Sequence, residues 1–231
     1  MSSPIVLTRD GSLTLRSRRY GQTFHSEYGA KTEALHVYLE GGLIRQTLKA
    51  NGRVHILEVG FGAGLNFILT AALARQLGGQ LRYTALDQRI PHADTLEALR
   101  YGATASMPDV WEAFLAWCRT YQSTVPDGRY SLTPAAHCHL QLIIGDATDA
   151  KLPVNRVDTI YLDAFDPRCN PALWTEPFLA ALYNCAAPGG RLVTYSAAGA
   201  VRRGLSKAGF QVERRPGPPG KRHCLRGRKP S

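Results

Sequence analysis

Short apolar runs alternate with longer amphipathic stretches along most of the chain. Five runs bounded by turn residues predict buried β-strands over residues 54–59, 81–86, 140–144, 157–162 and 191–195. Five further stretches predict helices over residues 65–77, 91–101, 109–121, 176–186 and 200–208. The alternation predicts an α/β fold with a doubly wound, Rossmann-like parallel sheet.

The first 50 residues follow a different pattern. Short β-prone groups at 12–16 and 37–39 stand among turn residues and predict a small β-rich subdomain or lid over residues 1–50, with the main domain over residues 51–231. We also expect a hairpin formed by 130–132 and 139–143, and a linker at 216–220, where the sequence is Pro-Gly-Pro-Pro-Gly.

Length and composition limit the class of protein. With 231 residues and 44% hydrophobic content, the chain can bury a large core in one main domain. It has no apolar run of roughly 18 residues and no signal-peptide pattern, so we expect a cytoplasmic location without membrane contact. The five cysteines form no C-x-x-C pair, and neighbouring residues in His137-Cys138-His139 point to opposite faces of a strand, so we expect no metal site.

The formal charge of +10 is concentrated at one end. From Arg202 to Ser231 the chain has ten Lys and Arg against the single acid Glu213, which gives +9 there and leaves +1 for the rest. Such a cluster is typical of a surface that binds a phosphate backbone. A solvated, partly disordered tail explains the charge equally well at this point.

The segment "ILEVGFGAGLNF", residues 56–67, predicts a strand, a glycine-rich turn and a helix. Gly60, Gly62 and Gly64 allow positive φ and close approach of a ligand to the backbone. Their spacing is G-x-G-x-G and not the dinucleotide pattern G-x-G-x-x-G. Glu58, just before the loop, disfavours a pyrophosphate and suits a cationic ligand such as S-adenosylmethionine (SAM).

Two acids follow the next predicted strands. Asp87 ends the second strand and suits the two ribose hydroxyls of such a cofactor, with solubility at a strand end as the alternative. Asp146, in the sequence Gly145-Asp146-Ala147, suits an adenine amino group, with a helix N-cap as the alternative.

The fourth predicted strand leads into "LDAFDPRCNPALW", residues 162–174. It places Asp163 and Asp166 around Phe165, followed by Asn170 and Trp174. A strand next to the first one brings its final carboxylate to the ligand crevice of an open α/β sheet. Asp166 suits a cap of the turn or of the following helix better than a catalytic role.

These segments together resemble the methyltransferase part of the MnmC/MnmD-type tRNA modification enzymes. The resemblance rests on "GFGAGLNF", the strand end at 162–174, "YGAKTEALHVYLEGGL" at 28–43 and the closing "RRGL", "AGF" and "GKR". It departs from the family pattern at Asp87 for glutamate, Ala164 for glycine, Cys169 for lysine, and His223-Cys224. The loss of lysine at 169 removes an expected anchoring contact.

The resemblance implies a class I SAM-dependent methyltransferase that methylates the 5-aminomethyl group of (2-thio)uridine at the wobble position of tRNA. It also implies a stand-alone methyltransferase, with a separate FAD-dependent oxidase acting upstream. We expect Asp163 to be the catalytic residue. The expected cofactor site is Glu58, Gly60, Phe61, Gly62, Gly64, Asn66, Asp87, Asp146, Ala147 and Asp163. The expected substrate site is Tyr28, Glu33, Phe165, Pro167, Asn170, Trp174, Arg202, Arg203, Lys221 and Arg222, with Phe24 as a further stacking candidate; each aromatic is individually more typical of a core.

Two other functions agree with parts of the pattern. A methyl or aminopropyl transferase acting on a small amine would share the glycine loop and the strand-end acids, but it would not need the basic C-terminal segment. A non-catalytic RNA-binding relative would need that segment but not the intact series of acids and glycines. Salt-dependent tRNA affinity separates the first from a tRNA methyltransferase, and SAM binding separates the second.

Overall fold

The computed structural model describes residues 4–121 and 125–231, and its main feature is an eight-stranded sheet. A two-stranded antiparallel sheet, β1 (Ile5–Leu7) and β2 (Leu13–Leu15), precedes it. The main sheet contains β3 (Arg53–Val59), β4 (Gln80–Asp87), β5 (Gly128–Ala135), β6 (Cys138–Ile144), β7 (Val157–Leu162), β8 (Ala186–Thr194), β9 (Gln211–Pro216) and β10 (His223–Arg228). All five predicted strands and the predicted hairpin, formed by β5 and β6, are confirmed.

The strand order is β5-β6-β4-β3-β7-β8-β10-β9. Strands β3, β4, β6, β7 and β8 run parallel, whereas β5 and β10 are antiparallel to their neighbours. The chain builds outward from β3 in one direction and then resumes on its other side at β7. The topological switch point therefore lies between β3 and β7, where open α/β sheets bind ligands.

Both faces of the sheet are covered because neighbouring residues in each strand point to opposite sides. Ile56 belongs to the cluster beneath the N-terminal helices, whereas Leu57 belongs to the opposite cluster. The helices are α1 (Ala30–Glu33), a π-helix (Ala34–Glu40), α2 (Ile44–Asn51), α3 (Leu65–Gln76), α4 (Ala93–Ala98), α5 (Tyr101–Thr104), α6 (Pro108–Arg119), a 3₁₀-helix (Pro171–Trp174), α7 (Glu176–Cys185) and α8 (Gly199–Lys207). None of the helices described is long and apolar enough to cross a membrane.

The N-terminal region is less β-rich than predicted. Residues 37–39 lie in the π-helix and not in a strand. Val37, Tyr38 and Leu39 are all buried, and a helix covered on every side gives the same continuous apolar run as a buried strand. The helices of this region share the core of the main sheet, and residues 1–3 of the predicted subdomain lie outside the described residues. Its division from the rest at residue 50 stays a prediction.

Two other segments differ from the sequence pattern. The helix predicted over 91–101 is divided into α4 and α5 at Arg100, which has a φ of 55°. This turn lets the Tyr101 hydroxyl donate to the Leu13 carbonyl oxygen at 3.0 Å. The segment expected to be a linker at 216–220 connects β9 to β10, so the basic C-terminal segment forms an antiparallel hairpin on the sheet.

Candidate active site

A large cavity lies at the carboxyl ends of β3, β4, β6 and β7, with a volume of about 1520 Å³. Ligand sites for drug-sized molecules are typically about 300–1,000 Å³, so this cavity has room for a cofactor and part of a second molecule. Nine of the predicted site residues line it: Gly60, Gly62, Asp87, Asp146, Ala147, Asp163, Phe165, Asn170 and Lys221. Residues of the segment between β2 and α1 line the opposite wall.

The glycine loop connects β3 to α3 and has the geometry that its sequence predicts. Gly60, Gly62 and Gly64 have φ values of 92°, 57° and 83°. A Cβ on Gly60 would lie 2.5 Å from the Asp163 carbonyl oxygen, and one on Gly62 would lie 2.9 Å from Phe24 Cδ2. Glycine is therefore required at both positions for backbone conformation and for close approach.

Asp87 lies beside this loop. Its Oδ2 accepts the Gly62 N–H at 2.7 Å, and its Oδ1 accepts the Arg89 N–H at 3.1 Å. Burial raises the pKa of Asp87 to about 6, although these hydrogen bonds lower it. Each carboxylate oxygen retains a second lone pair, so the group is a suitable acceptor for a ribose diol at neutral pH.

Asp146 occupies the end of the neighbouring strand. Its Oδ1 accepts from the Thr148 N–H at 2.9 Å and from the Thr148 hydroxyl at 2.8 Å, which lowers its pKa. It therefore caps a turn, whereas the alternative predicted a helix N-cap. Oδ2 is left for a donor such as an exocyclic amine. Together with Asp87 and the glycine backbone, this donor set fits SAM.

Asp163 follows β7 directly, at the switch point. Its Oδ1 accepts the Tyr38 hydroxyl at 2.5 Å, and its Oδ2 accepts Asn66 Nδ2 at 2.8 Å. Burial raises the pKa of Asp163 to about 8, while the hydrogen bond from Tyr38 lowers it. The carboxyl group is thus held at both oxygens by side chains from the π-helix and α3.

Glu58 lies behind the glycine loop and does not face the cavity, which corrects the expectation that its carboxylate meets a cationic ligand. It is fully buried and accepts from Asn66 Nδ2 at 2.8 Å and from the Tyr83 hydroxyl at 2.9 Å. Burial, and then the nearby Asp163, raise the pKa of Glu58 well above its ordinary value. Asn66 therefore joins two buried carboxyl groups.

The other predicted cofactor residues also support the loop from behind. Phe61 is buried against Phe67 and Phe114, with ring centroids 6.2 and 5.7 Å apart. Gly64 is the residue from which α3 begins, and its missing Cβ leaves space for the Phe61 ring. Phe61, Gly64 and Asn66 therefore fix the loop and belong to the core.

In the cavity lining just after β7, Phe165 is the centre of an aromatic cluster. Its ring centroid lies 4.5 Å from Tyr20 and 5.5 Å from Phe24. The following turn is closed by Asp166, whose Oδ1 accepts from the Arg168 N–H at 2.9 Å, so the expectation that Asp166 caps the turn is confirmed. Pro167 lies in this turn, and Trp174 Nε1 donates to the Phe165 carbonyl oxygen at 2.9 Å.

Lys221 reaches the cavity and is held there by an ion pair. Its Nζ lies 2.5 Å from Glu33 Oε2 and 4.1 Å from the centroid of the Tyr195 ring. Glu33 is almost fully buried and also accepts the Ser26 N–H at 2.9 Å. Lys221 lines the cavity and Glu33 neutralises it from outside the lining, so Lys221 is not a free cation for phosphate as the sequence suggested.

The remaining predicted substrate residues lie outside this cavity. Arg202 and Arg203 are exposed on α8, and Arg222 is exposed before β10. Within residues 4–121 and 125–231, their side chains have no hydrogen bond or ion pair to another residue. Tyr28 is 46% exposed, with the Arg9 guanidinium carbon 4.2 Å from its ring centroid.

Sequence reasoning missed Tyr38 and Tyr20. Tyr38 lies inside the motif at 28–43, but nothing in its spacing separates it from its buried neighbours. Tyr20 belongs to "SRRYGQTF", residues 17–24, where arginines, aromatics and a glycine occur in a turn-like segment. That composition could have suggested a ligand-contacting loop.

The switch-point cavity, the glycine loop and the strand-end acids define a class I, Rossmann-like methyltransferase fold. The family described as S-adenosyl-L-methionine-dependent methyltransferase matches residues 109–230, and the chain belongs to that family. Its members use SAM as the methyl donor.

Named relatives agree with this assignment. The tRNA 5-methylaminomethyl-2-thiouridine biosynthesis bifunctional protein MnmC of Azoarcus sp. (strain BH72) is 35% identical over 224 residues, which is 92% of this chain and 33% of that protein. The chain spans about a third of the length of the curated relatives it matches.

Solved structures support the fold. MNMC2 from Aquifex aeolicus superposes with a TM-score of 0.75 at 24% identity, covering 99% of this chain and 72% of that one. A spermidine synthase from Thermotoga maritima superposes with a TM-score of 0.55 at 13% identity, covering 95% and 69%. At these identities the likeness concerns the fold alone.

Proposed function

We propose that this protein methylates the nitrogen of the 5-aminomethyl group of (2-thio)uridine at the wobble position of tRNA, giving 5-methylaminomethyl-(2-thio)uridine. The observation that carries the proposal is the position of Asp163. It stands between the glycine loop and the Phe165 cluster, with both oxygens held by neighbouring side chains. The relatives are tRNA 5-methylaminomethyl-2-thiouridine biosynthesis proteins, and they supply the substrate class.

In this proposal Gly60 and Gly62 present their backbone to SAM, Asp87 accepts from its ribose and Asp146, with Ala147, lies near its adenine. Glu58, Phe61, Gly64 and Asn66 act indirectly, since they hold the loop. When bound, SAM supplies an electrophilic methyl group on a positively charged sulfur. The protein's task is to place a neutral amine nitrogen in line with it.

Asp163 performs that task. As a carboxylate it accepts a hydrogen bond from an N–H of the aminomethyl group, which directs the nitrogen lone pair away from the acid. It also receives the proton that the nitrogen must release, directly or through water. Tyr38 and Asn66 keep the carboxylate in one orientation, so little reorganisation is needed during the reaction.

The target uridine binds at the aromatic cluster around Phe165. A base displaced from the anticodon-loop stack fits against Phe165, with the turn at Asn170 and Pro167 and the ring of Trp174 behind it. Arg202, Arg203 and Arg222 contact phosphates farther away, and Tyr28 lies next to the Lys221 segment. Glu33 and Lys221 shape the wall.

Other parts of the proposal concern cellular context. The aminomethyl precursor is supplied by an FAD-dependent oxidase activity that acts upstream, and the reaction takes place in the cytoplasm with tRNA. The form of Asp163 that acts on the amine is the carboxylate, which repels a second carboxylate beside it, so the carboxymethylaminomethyl form of the nucleoside is rejected.

The test is methyl transfer from labelled SAM to tRNA carrying 5-aminomethyl-2-thiouridine, followed by nucleoside mass analysis. Wild type is expected to form the methylated nucleoside. Asp163→Ala is expected to lose at least 100-fold in rate while retaining SAM binding by calorimetry, as general-base loss predicts. The matched control is Asp149→Ala, an exposed acid outside the cavity lining.

Three results would contradict the proposal or a part of it. SAM binding without transfer to any tRNA would favour a small-amine transferase, and unreduced transfer by Asp163→Ala would remove Asp163 from the reaction. Equal turnover of the carboxymethylaminomethyl form would contradict the placement of Asp163 beside the amine.

A further inference from the structure

The segment at residues 16–24 crosses the mouth of the cavity and is fixed to the ends of two strands. Arg19 Nη1 donates to Gln88 Oε1 at 2.8 Å, just after β4. Gln22 Nε2 donates to Cys169 Sγ at 3.2 Å, in the turn after β7. These contacts hold the segment in a defined position over the site, so its side chains are presented to whatever enters.

Tyr20 is the aromatic residue that this segment brings to the mouth. Its ring lies 4.5 Å from Phe165 at an interplanar angle of 34°, and the residue is partly exposed and lines the cavity. A supported, partly exposed ring is a stacking surface for a nucleobase, because every base has a π-face that can lie against it.

Arg19 and Arg89 place positive charge beside that ring. Both are exposed and line the cavity, and the Arg19 guanidinium carbon lies 5.2 Å from the Tyr20 ring centroid. Arg89 is adjacent in sequence to Gln88, the partner of Arg19. Within the described chain, neither guanidinium forms an ion pair with a carboxylate.

Several acids line the same mouth, but most are engaged. Glu27 pairs with Arg16 at 2.6 Å, and Asp166 pairs with Arg168 at 2.8 Å. Asp94 lies beside His92 at 3.4 Å, on α4. The charge of Arg19 and Arg89 is therefore left for a ligand, and guanidinium groups suit phosphate oxygens.

We propose that Tyr20, Arg19 and Arg89 bind the single-stranded RNA nucleotide next to the one being methylated. Tyr20 stacks on its base, and the two arginines contact the flanking phosphates. The inference rests on the proposed function. It places the principal RNA contacts at the cavity mouth, on the N-terminal segment and the loop after β4, nearer the chemistry than Arg202, Arg203 and Arg222.

The experiment measures the affinity of an anticodon stem-loop RNA carrying 5-aminomethyluridine at several salt concentrations. The variant Arg19→Gln/Arg89→Gln is expected to bind at least about 10-fold more weakly at 0.1 M salt. Its slope of log affinity against log salt should be smaller by about 1.4, which is two phosphate contacts on a single strand.

The matched control removes two positive charges near the amino ends of the strands, whereas the cavity lies at their carboxyl ends. Arg53→Gln/Arg82→Gln changes two exposed arginines near the amino ends of β3 and β4, and is expected to change affinity less than about twofold. Tyr20→Ala should weaken binding about 10-fold, whereas Tyr20→Phe, which keeps the ring, should not.

Equal losses of RNA affinity in the Arg19→Gln/Arg89→Gln and Arg53→Gln/Arg82→Gln variants would overturn the assignment, because they would reflect net charge alone. A loss of RNA affinity accompanied by an equal loss of SAM affinity would also overturn it, because it would place these residues in the cofactor site. If wild type methylates the RNA and the variants bind it normally, only this inference fails. If wild type neither binds nor methylates it, the proposed function fails as well.

Discussion

Asp163 has a raised pKa and accepts hydrogen bonds from Tyr38 and Asn66, so the activity should depend on pH. Burial raises its pKa to about 8, so the free protein carries it largely protonated at neutral pH. A protonated Asp163 cannot take up the proton that the amine nitrogen releases. The value of kcat/KM is therefore expected to rise with pH and level off above about pH 8, since it reports the free enzyme.

The hydroxyl of Tyr38 tunes this profile. Tyr38→Phe removes a hydrogen bond that favours the carboxylate, so the pKa of Asp163 rises further. The acidic limb of kcat/KM should move about one unit to higher pH. Tyr161→Phe is the control, because its ring lies 5.3 Å from Tyr38 but its hydroxyl faces Thr70. Identical pH profiles for Tyr38→Phe and wild type would contradict the role of this hydrogen bond.

The same residue destabilises the ligand-free fold at high pH. Its pKa of about 8 lies above the ordinary value of 3.8, so between these pH values the folded state binds a proton that the unfolded chain releases. The contribution of Asp163 to the free energy of unfolding is therefore fully present below about pH 4 and is lost as pH rises through 8.

Asp163→Asn is consequently expected to raise Tm relative to wild type by an amount that grows between pH 5 and pH 9. Thermal unfolding of both proteins without SAM measures it. A difference in Tm that stays constant with pH would show that the carboxyl group does not bear the proton. The active variant is the less stable one, as is common for buried catalytic acids.

At the scale of elements, the role of the glycine loop in SAM binding can be tested by substituting Gly62, with a glycine of similar positive φ elsewhere in the chain as the control. Gly62→Ala forces a side chain to φ 57° and into the Phe24 ring, so SAM affinity should fall at least about 10-fold. Gly52→Ala imposes φ 65° where a Cβ would meet nothing within 4 Å, at the end of α2. It should reduce stability by about 1 kcal/mol and leave SAM affinity unchanged. Calorimetry distinguishes the two.

The end of β10 is tied to α7 by one side chain. Lys229 Nζ donates to the carbonyl oxygens of Tyr183 and Ala186 at 3.0 and 2.9 Å, and to Asn155 Oδ1 at 2.8 Å. Lys229→Met should lower the free energy of unfolding by about 1–3 kcal/mol, because it leaves these acceptors without a donor.

The control for this prediction is Lys207→Met. Its ammonium pairs with Glu176 at 2.6 Å, but both side chains are exposed, so about 0–1 kcal/mol is expected. Urea unfolding of both variants measures the difference. Equal small effects would mean that water replaces Lys229 at the helix end.

The helices and strands that the sequence predicted are those in which the pattern of buried residues is typical of the element that forms. Strand β7 occurs at the predicted residues, and α3 begins where the glycine loop requires. The prediction of a β-prone group at residues 37–39 was wrong, because three consecutive buried residues of the π-helix give the same sequence pattern as a buried strand. The C-terminal hairpin was not predicted, because β9 is largely exposed and its charged residues have no period-two apolar pattern.

The site was predictable in part for the same reason. Gly60, Gly62, Asp87 and Asp163 lie at strand ends, whose positions follow from the sheet. Lys221 was expected at the site from the family resemblance, but as a phosphate contact, and Tyr20 was missed. Both reach the cavity from segments far away in sequence, and the sequence of a segment does not fix where it meets the sheet.

At the scale of the whole molecule, the cavity is lined by both the N-terminal segment and the sheet. A ligand bound there contacts both parts and should therefore stabilise the entire fold. SAM at about 100 times its Kd is expected to add about 2.7 kcal/mol to the free energy of unfolding. For a chain of this size that corresponds to a rise in Tm of roughly 5–10 °C. Gly62→Ala should show a much smaller rise. A rise confined to one of two separate transitions would show that the two parts unfold independently.

The overall charge is distributed differently from what the sequence suggested. Lys207, Lys221 and Arg226 are engaged with Glu176, Glu33 and Glu213, so part of the C-terminal charge is neutralised within the fold. The surface for RNA therefore depends more on cations from other parts of the chain, including those at the cavity mouth.

The ion pair between Lys221 and Glu33 joins residues that are 188 positions apart. Glu33 lies at the end of α1 and Lys221 just before β10, so the pair forms only when these two distant segments have folded against each other. A backbone cut anywhere between them leaves this ion pair as one of the contacts that hold the two fragments together. Limited proteolysis in that interval should therefore release the Glu33 segment more readily from Lys221→Met than from wild type.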